Sequence, residues 1–253
     1  MEFEKKVVVI TGAGRGLGFG MARRFGQEGA TVVIAEIDPG TGPQAAEALR
    51  AEGIAASYAP LDVRDPAQSL SLVENLTEEY GHVDVWVNNA GIARKAPAES
   101  ISIEAWDESI AVMLSGAFYC SQAAGRQMLA QGSGVIVNMA SVGGIQHIEG
   151  RVAYSVPKAG LIMLTQALGI EWAQRGVRVV GIAPSVVMTD MVRHGIAEGT
   201  ASLDAYLRRT PMHRLGTVEE IAEAVLFLAS EQASYIVGEV MRVDGGWVAY
   251  QYF

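Results

Sequence analysis

Residues 6–18 read Lys6-Val7-Val8-Val9-Ile10-Thr11-Gly12-Ala13-Gly14-Arg15-Gly16-Leu17-Gly18. The apolar run at 6–11 has no polar alternation, as expected for a parallel strand covered on both faces. A glycine-rich turn follows, and then a helical pattern over 21–28 that ends at Gly29. Glycines at such a turn let the backbone approach a phosphate. The helix N-terminus behind them supplies free N–H groups and a positive dipole end. The turn is not a P-loop, because no Gly-Lys-Ser/Thr follows, and it fails the strict G-x-G-x-x-G spacing. The spacing it satisfies is Gly12-x-x-x-Gly16-x-Gly18. A tight glycine turn with no ligand is the plainer alternative.

The same alternation continues along the chain. Strand patterns at 31–35, 55–61, 83–88, 134–140, 177–183 and 240–243 are separated by helical patterns at 44–52, 69–80, 103–131, 152–175 and 219–230. Repeated βαβ units call for an α/β fold with a parallel sheet and helices on both faces. No linker, repeat or low-complexity tract interrupts it, so residues 1–253 are expected to form one domain. The longest irregular stretch, 184–217, has the length of a functional loop and is expected to be a substrate lid.

The chain has 253 residues, half of them apolar, and a formal charge of −9. That charge argues against a nucleic-acid partner, since phosphate binding needs a basic face. No apolar run reaches the roughly 18 residues of a membrane span, and no signal peptide is visible. Cys120 is the one cysteine and sits in an apolar helical stretch. It cannot form an internal disulfide, so it is expected to be a packing residue in a cytoplasmic protein. The four histidines show no ligand spacing, so no metal is expected.

Glu36 ends the second strand, 18 residues past Gly18. A carboxylate there can accept hydrogen bonds from adenosine ribose hydroxyls and would repel a 2′-phosphate. That favours NAD over NADP. Arg15, a basic residue in the turn, is a counter-signal. A solvated carboxylate at a strand end is the bland reading of Glu36.

Further on stand Asn88-Asn89-Ala90-Gly91, Ser141 and Tyr154-Ser155-Val156-Pro157-Lys158. A single Tyr-x-x-x-Lys is common, and on its own it marks an amphipathic helix. Combined with Ser141 thirteen residues upstream and the glycine turn, it is specific. As a set these motifs resemble the short-chain dehydrogenase/reductase superfamily, in its single-domain branch of about this length, from Lys6 to Gly246. The resemblance implies a Rossmann-type, doubly wound, seven-stranded parallel sheet of order 3-2-1-4-5-6-7. It implies a cofactor site of Gly12, Arg15, Gly16, Leu17, Gly18, Glu36, Tyr154, Lys158 and Pro184. Within it Asp62-Val63 would meet adenine, Asn89-Ala90-Gly91 the ribose side, and Thr189 the nicotinamide amide. It also implies a homotetramer, with the helices at 103–131 and 152–175 pairing between subunits.

The chemistry follows from the residue types. Tyr154 and Lys158 are four apart on a helix and share a face. A free tyrosine, with a pKa of about 10, is a poor base at neutral pH. A nearby ammonium and a positive nicotinamide ring favour the phenolate. Ser141 can donate to the substrate oxygen. The expected reaction is hydride transfer between NAD(H) and a small alcohol or carbonyl compound, with Tyr154 as general acid and base. Specificity is expected from the lid and from the segments after Gly91 and Ser141. Gly143, His147, Glu149 and Arg151 suit a sugar or polyol, whereas Met191 and its lid neighbours suit an apolar ligand.

Three positions depart from the family pattern. Met113 stands where an asparagine supports a water in the proton relay, and a thioether accepts only weakly and cannot donate. Ser185 replaces the glycine of Pro-Gly, and Val180 stands where asparagine is frequent. Met113 leaves open a dinucleotide-binding regulatory or structural protein with weak catalysis. The intact Ser141, Tyr154 and Lys158 set argues against it. Sugar-nucleotide epimerase or dehydratase chemistry is disfavoured by the glycine spacing. The aromatic end, 247–253, is expected to dock on the core or on a neighbour.

Overall fold

The computed structural model describes residues 1–250. Seven parallel strands form one sheet in the order β3-β2-β1-β4-β5-β6-β7. They are β1 (Val7–Thr11), β2 (Thr31–Glu36), β3 (Ala56–Pro60), β4 (Val85–Asn88), β5 (Gly134–Met139), β6 (Val177–Pro184) and β7 (Val240–Val243). The expected order is therefore observed. It reverses direction between β1 and β4, and ligands of open α/β sheets bind at that switch point.

Side-chain alternation assigns the two cores. Val8, Ile10, Val32 and Ile34 face one side, where they pack with Met21 and Phe25 of α1 (Gly16–Gln27), Leu49 of α2 (Thr41–Ala51) and Ile221 and Val225 of α9 (Val218–Ala229). Val7, Val9, Val33 and Ala35 face the other. There they meet Leu72 and Leu76 of α3 (Pro66–Tyr80), Cys120 and Met128 of α5 (Gly116–Gln131) and Leu168 of α6 (Val152–Trp172). Cys120 is fully buried, and burial pushes its thiol up to about 11, which leaves it an inert packing group.

Two expectations about helices are corrected. The pattern over 103–131 is not one uninterrupted helix. After α4 (Ile103–Ile110) the chain makes a π-turn, Ala111–Ser115, and the Gly116 N–H reaches back to the Ala111 carbonyl. Periodicity cannot reveal one inserted residue, yet it moves every side chain beyond it around the helix axis. The stretch 184–217 is not irregular either. It contains α7 (Asp190–Ala197), capped by Thr189, and α8 (Leu203–Arg209), capped by Ser202. Both helices are too short for a clear apolar stripe, so only their caps marked them.

A buried polar network fixes α5 and α6 on the sheet. Asn88 Nδ2 donates to Ser121 Oγ and to Asn138 Oδ1, each at 2.8 Å. Asn138 Nδ2 donates to Thr165 Oγ1 at 2.9 Å. Thr165 lies two turns beyond Lys158, so this bond sets the rotation of the helix that carries Tyr154 and Lys158.

Candidate active site

The glycine turn joins β1 to α1. Gly12 adopts a positive φ of 64°, and a Cβ there would come within 2.8 Å of the Ala90 Cα. Gly16 also has a positive φ, of 60°, but nothing lies within 4 Å of where its Cβ would be. Gly53, Gly81, Gly132 and Gly199 share this open, left-handed geometry at helix ends, so what singles out Gly16 is its place between β1 and α1, where the backbone leaves room for a phosphate. The α1 N-terminus carries no side-chain cap, a feature it shares with α2, α5 and α6, whereas α3, α4, α7, α8 and α9 are capped. What sets α1 apart is that it follows directly on the glycine turn, so its first N–H groups lie where a phosphate could accept from them. Leu17 packs against the core beneath the turn, and position 18 admits only glycine, because a Cβ there would strike Asn89 Nδ2 and the Gly12 carbonyl, each at 2.6 Å.

Glu36 closes the turn from β2. Its Oε2 accepts the Gly14 N–H at 3.1 Å, and its Oε1 accepts the Ile37 and Asp38 N–H groups at 2.9 and 3.2 Å. The carboxylate is thus fixed in place. Arg15 is exposed, and its charge helps hold the neighbouring Asp38 carboxyl below its usual range, after the larger effect of the Thr41 and Gly40 N–H groups.

Other expected cofactor residues take definite roles. Asn89 Nδ2 donates to the Thr11 and Gly12 carbonyls at 2.9 and 3.0 Å. Its amide therefore clamps the turn. Ala90 N–H donates to Thr11 Oγ1 at 3.0 Å, and Gly91 faces Met113. The Asp62 carboxylate is engaged by Arg64 at 2.6 Å, and Val63 packs against Gly116. Pro184 ends β6, and Thr189 Oγ1 caps α7.

Ser141, Tyr154 and Lys158 converge at the carboxyl end of β5. Ser141 caps a short turn, and its Oγ accepts the Gly143 N–H at 3.0 Å. A Cβ on Gly143 would lie 3.3 Å from the Tyr154 ring and 3.4 Å from Ser141 Oγ, so all three pack together. Lys158 Nζ sits 5.8 Å from the centre of the Tyr154 ring and donates to the Met139 carbonyl. Burial pushes the Tyr154 phenol above its ordinary value, while the Ser141 hydroxyl and the Arg151 charge pull it back. Burial also lowers the Lys158 ammonium, to about 8. The cation expected to favour the phenolate is thus itself disfavoured by burial, and Arg151 supplies the charge that acts on Tyr154 in the ligand-free protein.

Met113 is buried at the centre of the π-turn, with its thioether sulfur 3.7 Å from the position of a Gly91 Cβ. Of the expected substrate residues, Gly143 lies in the Tyr154 cluster and Arg151 is half-buried. His147 and Glu149 are exposed, and Met191 is 67% exposed. The loop residue that meets the segment 184–217 is Gln146, which accepts a hydrogen bond from Arg209 at 3.0 Å. Sequence reasoning missed both. They lie 63 residues apart, and no local pattern links them. Among the described residues, no group of three or more His, Cys, Asp or Glu could hold a metal ion.

A family model described as "Enoyl-(Acyl carrier protein) reductase" matches residues 12–248. The chain belongs to the short-chain dehydrogenase/reductase superfamily. It is 39% identical to a cis-4-hydroxycyclohexanecarboxylate dehydrogenase of Sinomonas cyclohexanicum, over 98% of each chain. It is 38% identical to a D-threitol dehydrogenase of Mycolicibacterium smegmatis, over 96% of this chain and 92% of that one. Among solved structures, it resembles a gluconate 5-dehydrogenase from Burkholderia cenocepacia in complex with NADP and tartrate. That match has a TM-score of 0.93 and 33% identity, over 99% of this chain and 98% of that one. These relatives of the superfamily member described here are oxidoreductases.

Proposed function

We propose that this chain is an NAD-dependent oxidoreductase that moves a hydride between nicotinamide and the carbinol carbon of a secondary alcohol, with Tyr154 exchanging the hydroxyl proton. The observation that carries this reading is the convergence of Ser141, Tyr154 and Lys158 at the carboxyl end of β5, in the same parallel sheet whose β1 ends in the glycine turn. The residues fit the cofactor. Gly16 opens onto free space for the pyrophosphate, and Glu36 presents a fixed carboxylate for the ribose hydroxyls. Nicotinamide, when bound, accepts the hydride in oxidation and returns it in reduction.

The protein's own residues handle the proton and the geometry. Tyr154 Oη takes the hydroxyl proton in the oxidative direction and gives it back in the reductive one. The Ser141 lone pair is engaged by Gly143, which leaves the Ser141 O–H to donate to the substrate oxygen. Lys158 would hold the nicotinamide ribose, and its ammonium would favour the phenolate.

The substrate is a small alcohol or carbonyl compound. Relatives named for a polyol and for hydroxy acids support a hydroxylated one. We propose residues 184–217 as the lid of a single catalytic domain. Val156, Met163 and Ile170 are exposed at seven-residue intervals along α6, a stripe that suits helix pairing in a homotetramer. No helix of the described residues is long and apolar enough to cross a membrane. The unpaired, buried Cys120 suits a cytoplasmic location.

The test follows NADH absorbance across polyols, sugars, hydroxy acids, secondary alcohols and ketones, with Tyr154→Phe as control. Turnover that the variant retains in full overturns the reading. Cofactor choice has its own test. Glu36→Gln removes the charge and can keep its one acceptor oxygen on Gly14 only by giving up the Ile37 and Asp38 N–H groups, and kcat/KM for NADP⁺ relative to NAD⁺ should rise by about tenfold or more. An unchanged ratio assigns the preference elsewhere. Met113→Asn should raise kcat if the proton relay limits turnover, because an amide can both donate and accept. Unchanged kcat and an unchanged pH profile would remove the relay as the limit.

A further inference from the structure

Arg209 occupies the last turn of α8, and three segments meet on its guanidinium. Nη2 donates to Gln146 Oε1 at 3.0 Å. The guanidinium carbon lies 5.7 Å from the centre of the Trp247 ring, which is itself buried. Gln146 is part of the turn that starts at Ser141, since its N–H donates to the Val142 carbonyl at 2.8 Å. Gly143 of that turn packs on Tyr154. Arg209 thus joins the proposed lid and the C-terminal segment to the loop that carries the proposed chemistry.

Its charge has no carboxylate partner among the described residues. The neighbouring Arg208 pairs with Asp204, Arg94 with Glu108, and Arg214 with Glu220. Arg209 pairs with none, as is also true of Arg15, Arg50, Arg126, Arg151, Arg175, Arg178 and Arg242, but among the described residues it alone is held between a loop amide and a buried indole. A guanidinium offers five N–H donors in a fixed planar fork. Here one is engaged, and the plane is held by an amide and an indole. A half-buried, oriented, unpaired fork is a ready receptor for a carboxylate, which it can bind through two parallel hydrogen bonds.

We propose that Arg209 receives the carboxylate of the substrate, so that the enzyme acts on a hydroxy acid and its oxo-acid product. The inference rests on the reading of Tyr154, Ser141 and Lys158 as an alcohol and ketone site, and it adds the second anchor of the substrate. Gln146 and Trp247 act as positioning residues that fix the guanidinium plane. Arg209 is a specificity residue and takes no part in proton transfer.

The test compares a carboxylate with its neutral amide. Cyclohexanecarboxylate and cyclohexanecarboxamide cannot be oxidised at a hydroxyl, so each is titrated calorimetrically into the complex of enzyme and NADH. The wild type should bind the carboxylate at least about tenfold more tightly. Arg209→Gln should abolish that preference and leave amide and NADH affinity unchanged, and Arg209→Lys should keep part of it. With cis-4-hydroxycyclohexanecarboxylate as substrate, Arg209→Gln should raise KM far more than it lowers kcat. Equal binding of acid and amide by the wild type, or no binding of either, overturns the proposal. So does an equal loss for both ligands in Arg209→Gln, which would show a lid staple only. Failure of the underlying reading looks different: Tyr154→Phe would still oxidise the hydroxy acid while the preference for carboxylate stayed in place.

Discussion

Tyr154→Phe lowers kcat by about 10²- to 10⁴-fold, the usual contribution of a positioned acid or base, and leaves NADH affinity within a few-fold of the wild type. Phenylalanine keeps the ring that packs on Gly143, so the fold and the turn at Ser141 survive. What disappears is the Tyr154 hydroxyl, which lies beside Ser141. Burial raises the phenol in the ligand-free protein, so it is protonated at neutral pH. In the oxidative direction kcat/KM should therefore climb toward alkaline pH, because the base form is needed. In the reductive direction it should fall over the same range. Arg151 opposes the burial effect. A wild-type profile flat across the alkaline range, or a phenylalanine variant with the same slope, would remove Tyr154 from the proton path.

The parts of this fold that sequence reasoning reached are those with local causes. A parallel strand buried on both faces is mostly apolar, so β1 and β2 stand out as runs, and β5 does so up to the buried Asn138. Tyr154 and Lys158 share a face because a helix has 3.6 residues per turn, and the structure places the ammonium near the phenol ring. The parts that escaped have tertiary causes. The π-turn at Met113 depends on one hydrogen bond of altered register, from Gly116 to Ala111. The role of Asn89 as a clamp depends on where the Thr11 and Gly12 carbonyls point. Arg209 and Gln146 come together only because α8 folds back over the loop after β5. For the aromatic end, Trp247 is buried against Arg209 as expected of a docked terminus, while residues 251–253 lie outside the described residues.

Lys158→Met should separate stability from activity. The ammonium is buried, and burial lowers it from 10.5 to about 8. Below about pH 8 the lysine is charged in both the folded and the unfolded chain, so the folded state carries the whole burial penalty. Between about 8 and 10.5 the folded protein gives up its proton first, and the penalty is relieved as pH rises. The shift corresponds to about 3 kcal/mol at neutral pH. Methionine fills similar space without a charge, but it leaves the Met139 carbonyl without its donor, at a cost of roughly 1–3 kcal/mol. The ligand-free variant should therefore be equal to or up to about 2 kcal/mol more stable at pH 7. At the upper end its Tm rises by roughly 4–8 °C for a chain of this size. The difference should shrink or reverse at pH 10, where the wild-type lysine is mostly neutral. Meanwhile kcat should fall by about 10²-fold or more, because nothing then holds the ribose or favours the phenolate. Thermal unfolding at pH 7 and 10, with the NADH assay alongside, reads both effects. A variant clearly less stable than wild type at pH 7 would mean that the ammonium is well compensated in the fold. A variant that is stable but inactive would mean that the charge is kept at a structural cost, which is the pattern of a residue retained for chemistry.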